Sequence, residues 1–131
     1  MMRFLLDTHI FLWFIIADPR LPPRFRTEIQ DPSHSVYLSV ASVWEAVIKY
    51  SLNKLPLPAP PEDYLPQQRD AHGISSLSID EGSMKPLASL PHLHRDPFDR
   101  LIVAQAIQHG MTVLTIDPDV RRYPAELLAM D

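Results

Sequence analysis

The chain has 131 residues with 46% apolar content, which is enough for one domain with a buried core, and we predict a single domain over residues 1–131. Its 12 basic and 16 acidic residues give a formal net charge of −4, whereas a protein that binds nucleic acid only through phosphate contacts is usually basic. The absence of cysteine excludes disulfides, thiolate metal sites and cysteine nucleophiles, and it fits a cytoplasmic location.

The N-terminal part of the chain predicts a buried strand followed by a helix. Residues 3–6 form a short apolar run, and Asp7 and Thr8 follow at the point where this strand should end. Residues 9–16 predict a helix packed on the sheet. This run is too short to cross a bilayer, so we expect neither a membrane helix nor a signal peptide. Prolines then interrupt the chain, and residues 24–30 predict a short polar helix.

The middle of the chain predicts a second strand over residues 35–39 that leads into a helix over residues 40–52. The expected apolar stripe of this helix consists of Val43 or Trp44, then Val47, Ile48 and Leu52. Residues 42–45 also have the pattern of a capping box. The proline-rich residues 55–61 predict a stiff, extended connector rather than a boundary between domains.

The remaining chain predicts three further helices and two further strands. We expect a short helix over residues 62–71 that Pro66 disturbs, a strand over residues 74–79, and a weak helix that Asp80 caps. The last helix begins after Asp96 and ends at Gly110. The last strand, over residues 111–116, runs into Asp117.

This order of strands and helices favours an α/β sandwich with a mainly parallel sheet. In such sheets, sites form at the carboxyl ends of the strands. Asp7 and Asp117 each follow a strand, whereas Glu45 and Asp99 each lie in the first turn of a later helix. We therefore predict that these four carboxylates meet at one edge of the sheet.

Each acid taken alone also has a structural interpretation. Asp7 fits a cap of the first helix, and Asp96 fits the cap of the last one, with a proline at the first helical position. Glu45 and Lys49 have the spacing of a helical ion pair. Asp117 fits a turn. For any single acid, the structural role is favoured over the catalytic one.

Taken together, the acids point to a metal ion. Four clustered carboxylates repel one another unless a proton or a cation lies between them. Oxygen ligands without cysteine or histidine suit Mg²⁺ or Mn²⁺ better than zinc, and two such ions would cancel the net charge of the chain. We assign Asp99 to the metal and Asp96 to the helix cap, and a role for Asp96 as an outer ligand stays open.

Histidines, aromatic residues and arginines carry less information. None of the histidines has zinc-like spacing, so we expect solvated or capping roles for His92, His94 and His109. The aromatic side chains expected in the core are Trp13, Trp44 and Phe98. Four arginines could form a basic rim that holds a phosphate chain, or could simply be solvated: Arg95, Arg100, Arg121 and Arg122.

Four segments of the chain resemble the PIN-domain family and, within it, the VapC-type toxins of bacterial and archaeal toxin–antitoxin pairs. They are residues 4–9, 39–49, 94–106 and 113–117, which occur in the family's order and of which 94–106 is the most specific. One departure is visible in residues 80–83, where many relatives carry Glu-His-Ala. The resemblance implies a three-layer α/β/α sandwich.

The resemblance also implies site residues and partners. The family's four acids fall on Asp7, Glu45, Asp99 and Asp117, and the supporting hydroxyls fall on Thr8 and Thr115. The implied activity is that of a Mg²⁺-dependent endoribonuclease whose cleavage leaves a 5′-phosphate. The implied partners are RNA, a second copy of the chain, and an antitoxin whose C-terminal segment occupies a groove near the site.

Two other functions remain open at this stage. A catalytically silent PIN-fold module would bind RNA through the basic rim without metal-dependent turnover. A small-molecule phosphohydrolase is disfavoured because residues 7–9 lack the second aspartate that aspartyl-phosphate phosphatases place two residues after the first.

Overall fold

Four parallel strands form the central sheet of the computed structural model, which describes residues 1–131. The strands are β1 (Arg3–Leu6), β2 (Ser35–Ser39), β3 (Ser75–Leu77) and β4 (Thr112–Leu114), in the order β3-β2-β1-β4. The helices are α1 (Thr8–Ile15), α2 (Pro23–Gln30), α3 (Val40–Ser51), α4 (Pro61–Ala71), α5 (Met84–Ser89) and α6 (Pro97–His109). Two 3-10 turns occupy Glu81–Ser83 and Val120–Arg122. None of the helices is both long and apolar enough to cross a membrane.

The central strand β1 is buried on both faces because apolar residues fill it without alternation, as is typical of parallel sheets. Phe4 and Leu6 belong to one apolar cluster with residues of α1, α2 and α4. Leu5 belongs to a second cluster, with residues of α6, on the other side of the sheet. The sheet therefore lies between two helical layers, which confirms the predicted three-layer α/β/α sandwich.

The ends of α6 follow from local sequence, and they position part of the site. Asp96 is the N-cap, Pro97 takes the first helical position, and Gly110 ends the helix in the left-handed conformation with a φ of 65°. A residue with a side chain would be strained there, because a Cβ atom disfavours positive φ. The acid end of α6 is thus fixed next to the edge of the sheet where the strands end.

Helix α3 differs from its prediction in which face is buried. The buried residues are Ala41, Ser42, Glu45 and Ala46, whereas 52% of Trp44 is exposed. Of the expected apolar stripe, Val43 packs against the core, whereas the others are exposed, and these are Trp44, Val47, Ile48 and Leu52. The capping box was also wrong, because the N-cap is Ser39, whose hydroxyl accepts a bond from the Ala41 backbone N–H. Polar contacts of Ser42 and Glu45 with α1, described below, explain why this face turns inward.

Two further local predictions differ from the structure. Asp80 does not cap the following helix, because its carboxylate interacts with the Ser83 hydroxyl (2.8 Å) and with His109 Nε2 (3.0 Å) instead of backbone N–H groups. Those two contacts lower the pKa of Asp80. Pro66 lies inside α4 without interrupting it.

Candidate active site

Asp7 is held at the carboxyl end of β1 by two hydrogen bonds. As the N-cap of α1, its Oδ1 accepts a bond from the Thr8 backbone N–H (2.7 Å), and its Oδ2 accepts one from the Thr115 hydroxyl (2.7 Å). Burial raises the pKa of Asp7, while the bonds from Thr115 and Thr8 oppose that rise. The predicted supporting role of Thr115 therefore corresponds to a direct contact with Asp7.

Glu45 reaches the same edge from α3, where only 2% of it is exposed. The Thr8 hydroxyl donates to Glu45 Oε1 (2.7 Å) and lies 2.8 Å from the Ser42 hydroxyl. Glu45 Oε2 pairs with Lys49 one turn later on the helix. Burial alone would lower the pKa of Lys49, but its hydrogen bond to Glu45 raises it. Glu45 thus forms the predicted ion pair with Lys49 and also lies at the edge of the sheet where Asp7 is held.

Asp96 and Asp99 lie together at the start of α6. Asp96 Oδ1 accepts bonds from the backbone N–H groups of Phe98 (2.8 Å) and Asp99 (3.2 Å), as its predicted capping role requires. Asp99 is 9% exposed, and its Oδ2 lies 2.8 Å from His94 Nε2. Burial raises the pKa of Asp99 to about 7, with further contributions from the charges of Asp7 and Asp96, and His94 opposes this rise.

Asp117 and His94 complete the cluster. Asp117 Oδ1 accepts the Asp119 backbone N–H (2.8 Å), the turn contact that its structural interpretation predicted. Asp117 Oδ2 lies 3.9 Å from His94 Nε2, and Asp119 Oδ2 lies 3.7 Å from His94 Nδ1. Although burial opposes it, the hydrogen bond with Asp99 raises the pKa of His94.

The prediction of a solvated or capping role for His94 was therefore wrong. The sequence signal that could have predicted its role is its position two residues before the N-cap of α6, because residues that lead directly into a helix lie close to that helix's first turn, which carries Asp99. A search for zinc-like spacing could not reveal a histidine that acts among carboxylates.

The four predicted acids line one cleft of about 360 Å³, together with Asp96. Two groups of side chains have potential ligand atoms within 4.8 Å of one another, and these are Glu45, Asp96 and Asp99, and His94, Asp99 and Asp117. Asp99 belongs to both groups. Asp7 lines the same cleft and belongs to neither. The tertiary structure thus collects acids from four distant parts of the chain in one cleft.

The model of the PIN domain family matches residues 4–126, nearly the whole chain. The chain belongs to the PIN domain family. Among individual relatives, ribonuclease VapC16 of Mycobacterium tuberculosis is 46% identical over 55 residues, which are 42% of this PIN domain chain. The match spans only 39% of that relative's length.

Two solved structures with the same fold are VapBC complexes bound to DNA. VapBC2 from Rickettsia felis, bound to a promoter DNA fragment, is 17% identical with a TM-score of 0.72, over 97% of this chain and 98% of that one. DNA-bound VapBC from Salmonella typhimurium is 18% identical with a TM-score of 0.67, and the match covers 100% of both chains. At such identities, the likeness establishes the fold of this PIN domain.

The donor set of the cleft fits a divalent metal ion. Five carboxylates face Lys49 and the two histidines of the cleft, so negative charge is in excess. Each Asp7 oxygen accepts one hydrogen bond, which leaves a lone pair on each for a further contact. A hard cation that prefers oxygen ligands is the group that would relieve the repulsion of this PIN-domain cluster.

The predicted basic rim is only partly present. Arg100 donates to the Pro91 carbonyl (2.9 Å) and the Tyr123 hydroxyl (3.0 Å), so its contacts brace the loop before α6 instead of the acids. Arg121 donates to the carbonyls of Thr115 (2.9 Å) and Leu128 (3.2 Å). Sequence could not distinguish these two arginines from solvated ones, because their partners are main-chain carbonyls and, for Arg100, a tyrosine hydroxyl that only the tertiary structure brings close.

Proposed function

We propose that this PIN domain is a metal-dependent endoribonuclease and the toxin of a toxin–antitoxin pair. The observation that carries the proposal is the meeting of Asp7, Glu45, Asp99 and Asp117 in one cleft. Support also comes from the 46% identity to a segment of a ribonuclease and from the fold shared with toxin–antitoxin complexes.

We assign the metal to the carboxylates, with Mg²⁺ as the expected ion and Mn²⁺ as a substitute. Asp7, Glu45, Asp99 and Asp117 would hold it, directly or through water, and Asp96, which has a ligand atom within 4.8 Å of those of Glu45 and Asp99, could serve as an outer ligand. When bound, such an ion activates water as a nucleophile and offsets the negative charge that develops on the phosphate.

The chain's own residues prepare this site in three ways. The hydroxyls of Thr8 and Thr115 each donate to a carboxylate, which orients Glu45 and Asp7 before any ligand arrives. Lys49 balances part of the charge of Glu45. The hydrogen bond between His94 Nε2 and Asp99 Oδ2 (2.8 Å) offsets part of the repulsion among the carboxylates.

Apolar surfaces support the proposal of protein partners. A groove of about 440 Å³ beside the acid cleft is lined mainly by apolar residues of α1 and of the proline-rich segment, with Trp13 and Tyr64 among them. We assign this groove to a segment of an antitoxin. The exposed apolar residues of α3 support contact with a second copy of the chain. The proposal includes a single domain over residues 1–131 that acts in the cytoplasm, where RNA substrates are found.

Cleavage of single-stranded RNA with and without Mg²⁺ tests the proposed activity. We expect Mg²⁺-dependent cleavage that EDTA stops and that leaves 5′-phosphate ends. Asp7→Asn should abolish cleavage and keep the fold, because asparagine also caps helices but lacks the carboxylate charge. Asp63→Asn, an exposed change on α4, is the matched control and should retain activity.

Each contrary result has a defined meaning. If the wild type binds RNA but does not cleave it with any of the divalent ions tested, the result would support the catalytically silent RNA-binding module instead. Hydrolysis of a chromogenic phosphate ester without action on RNA would favour the phosphohydrolase. Undiminished cleavage by Asp7→Asn would show that the Asp7 carboxylate is not required for the activity. Gel filtration of the chain, alone and with its genomic neighbour, would measure the proposed dimer and the antitoxin complex.

A further inference from the structure

A second cavity, of about 620 Å³, adjoins the acid cleft and has the opposite charge. His94 lines both spaces. The other polar residues of the second cavity are His92, Arg95, Arg100 and Asp119. Two guanidinium groups and two imidazoles thus face one carboxylate here, whereas five carboxylates line the cleft on the other side of His94. We call this second space the basic cavity.

Arg95 is the free cation of the basic cavity. Its side chain is exposed and forms no hydrogen bond or ion pair with any other residue, unlike those of Arg100 and Arg121. The one acid of the cavity, Asp119, already lies beside His94 (3.7 Å) and Arg122 (3.9 Å). The guanidinium of Arg95 is therefore available to an outside ligand.

A second arginine can assist without being free. Arg100 uses only its Nη1 atom to reach the Pro91 carbonyl and the Tyr123 hydroxyl. Its Nε and Nη2 atoms keep their N–H groups, so a rigidly held guanidinium still presents donors to the cavity. Planar, fork-shaped donors of this kind match the geometry of a phosphate, which they bind through paired, charge-assisted hydrogen bonds.

The charges of the two spaces suggest how a strand would be held. An RNA strand that enters the acid cleft brings phosphates toward a group of carboxylates, which repels them at every position that a metal does not cover. A neighbouring cavity with free guanidinium groups offers an attractive position for the next phosphate along the strand. The two spaces share the His94 side chain, so one continuous strand can contact both.

We propose that the basic cavity binds a backbone phosphate that flanks the cleaved one, with Arg95 as the main ligand and Arg100 and His92 as additional donors. This inference rests on the proposed ribonuclease function and adds a substrate-binding subsite to it. Because phosphate contacts carry no base information, the subsite positions the strand without selecting its sequence.

Salt dependence of RNA binding tests the subsite. A fluorescently labelled single-stranded oligoribonucleotide is titrated with protein carrying Asp7→Asn, which prevents cleavage, in Mg²⁺ at several salt concentrations. Adding Arg95→Gln should weaken binding and reduce the slope of log affinity against log salt by about 0.7, the value for one lost phosphate contact on a single strand. Arg95→Lys should restore most of the slope, because the charge returns.

The control variant is Lys54→Gln, which removes one positive charge from an exposed position after α3 that lies outside both cavities and whose side chain forms no hydrogen bond or ion pair. It should leave the slope unchanged. Thermal unfolding should be the same for Arg95→Gln, for Lys54→Gln and for the Asp7→Asn parent, since neither the Arg95 nor the Lys54 side chain forms a hydrogen bond or ion pair within the protein. An equal slope for Arg95→Gln and its parent, in a chain whose wild type cleaves RNA, would refute the subsite alone. A wild type that neither binds nor cleaves RNA would refute the proposed function, and the subsite with it.

Discussion

Replacement of Asp99 by asparagine should stabilise the metal-free protein, although it should destroy the activity. Burial and neighbouring acids raise the pKa of Asp99 from 3.8 to about 7, which corresponds to a cost of about 4 kcal/mol for the ionised form in the folded state. Asparagine avoids that cost but loses the charge-assisted contact with His94 (2.8 Å). We therefore expect a net gain of about 1–3 kcal/mol in the free energy of unfolding above roughly pH 7.5.

The sign of the pH dependence follows from the same shift. Between the unfolded pKa, near 3.8, and the folded pKa, about 7, the folded state binds more protons than the unfolded state. Stability of the wild type in EDTA should consequently fall as the pH rises through this interval. The advantage of Asp99→Asn should be present above it and disappear below about pH 3, where the wild-type carboxyl is protonated in both states.

Urea denaturation in EDTA at several pH values measures this difference. Asp63→Asn, which changes an exposed carboxylate on α4, is the matched control and should shift the free energy of unfolding by no more than about 0.5 kcal/mol. Mg²⁺ should stabilise the wild type and not Asp99→Asn. If Asp99→Asn is less stable than the wild type at high pH in EDTA, ionised Asp99 does not destabilise the fold, and a structural role for this carboxylate is indicated instead.

Mg²⁺ binding and two buried hydrogen-bonded side chains, Thr8 and Gln105, should respond to pH and to substitution as follows from their contacts. Affinity for Mg²⁺, measured by calorimetry, should rise with pH through about 7 with release of a proton, because the cation binds ionised Asp99; a flat profile would contradict the raised pKa. Thr8→Val should weaken Mg²⁺ binding and lower the free energy of unfolding by about 1–3 kcal/mol, because Glu45 loses its hydroxyl donor. The control is Thr27→Val, at an exposed position on α2. Unchanged Mg²⁺ affinity of Thr8→Val would show that Thr8 does not orient Glu45. Gln105→Leu should lower the free energy of unfolding, measured by urea denaturation, by about 1–3 kcal/mol, because the buried amide bridges the Ser39 hydroxyl and the Ser78 carbonyl just after β3. An unchanged free energy of unfolding would show that this bridge is dispensable.

The local sequence predicted the elements well where short-range chemistry determines them. Asp96, Pro97 and Gly110 are a cap, a first helical residue and a left-handed stop, and each acts within one turn of the chain. The apolar run of β1 likewise predicted a buried strand. Such features depend on near neighbours, and the structure confirms them.

The orientation of α3 could not be predicted from its own residues. Hydrophobic periodicity favoured burial of Val43 or Trp44 together with Val47 and Ile48, yet the buried face carries Ser42 and Glu45. The partner that makes this face favourable is Thr8, which is more than thirty residues earlier in the chain. Satisfying buried polar groups outweighs apolar burial here, because an unpaired carboxylate inside the protein would be far more costly than an exposed tryptophan.

The sequence by itself determined the parts of this PIN domain: parallel strands, capped helices and four acids placed where strands end or the next helices begin. It did so because propensity, capping and hydrophobic pattern act over a few residues. Only the tertiary structure decided that His94 lies among three carboxylates, that Arg100 and Arg121 bind main-chain carbonyls, and that Arg95 is left free. Those outcomes depend on electrostatic contacts between side chains from separate segments, and such contacts exist only once the sheet has brought the segments together.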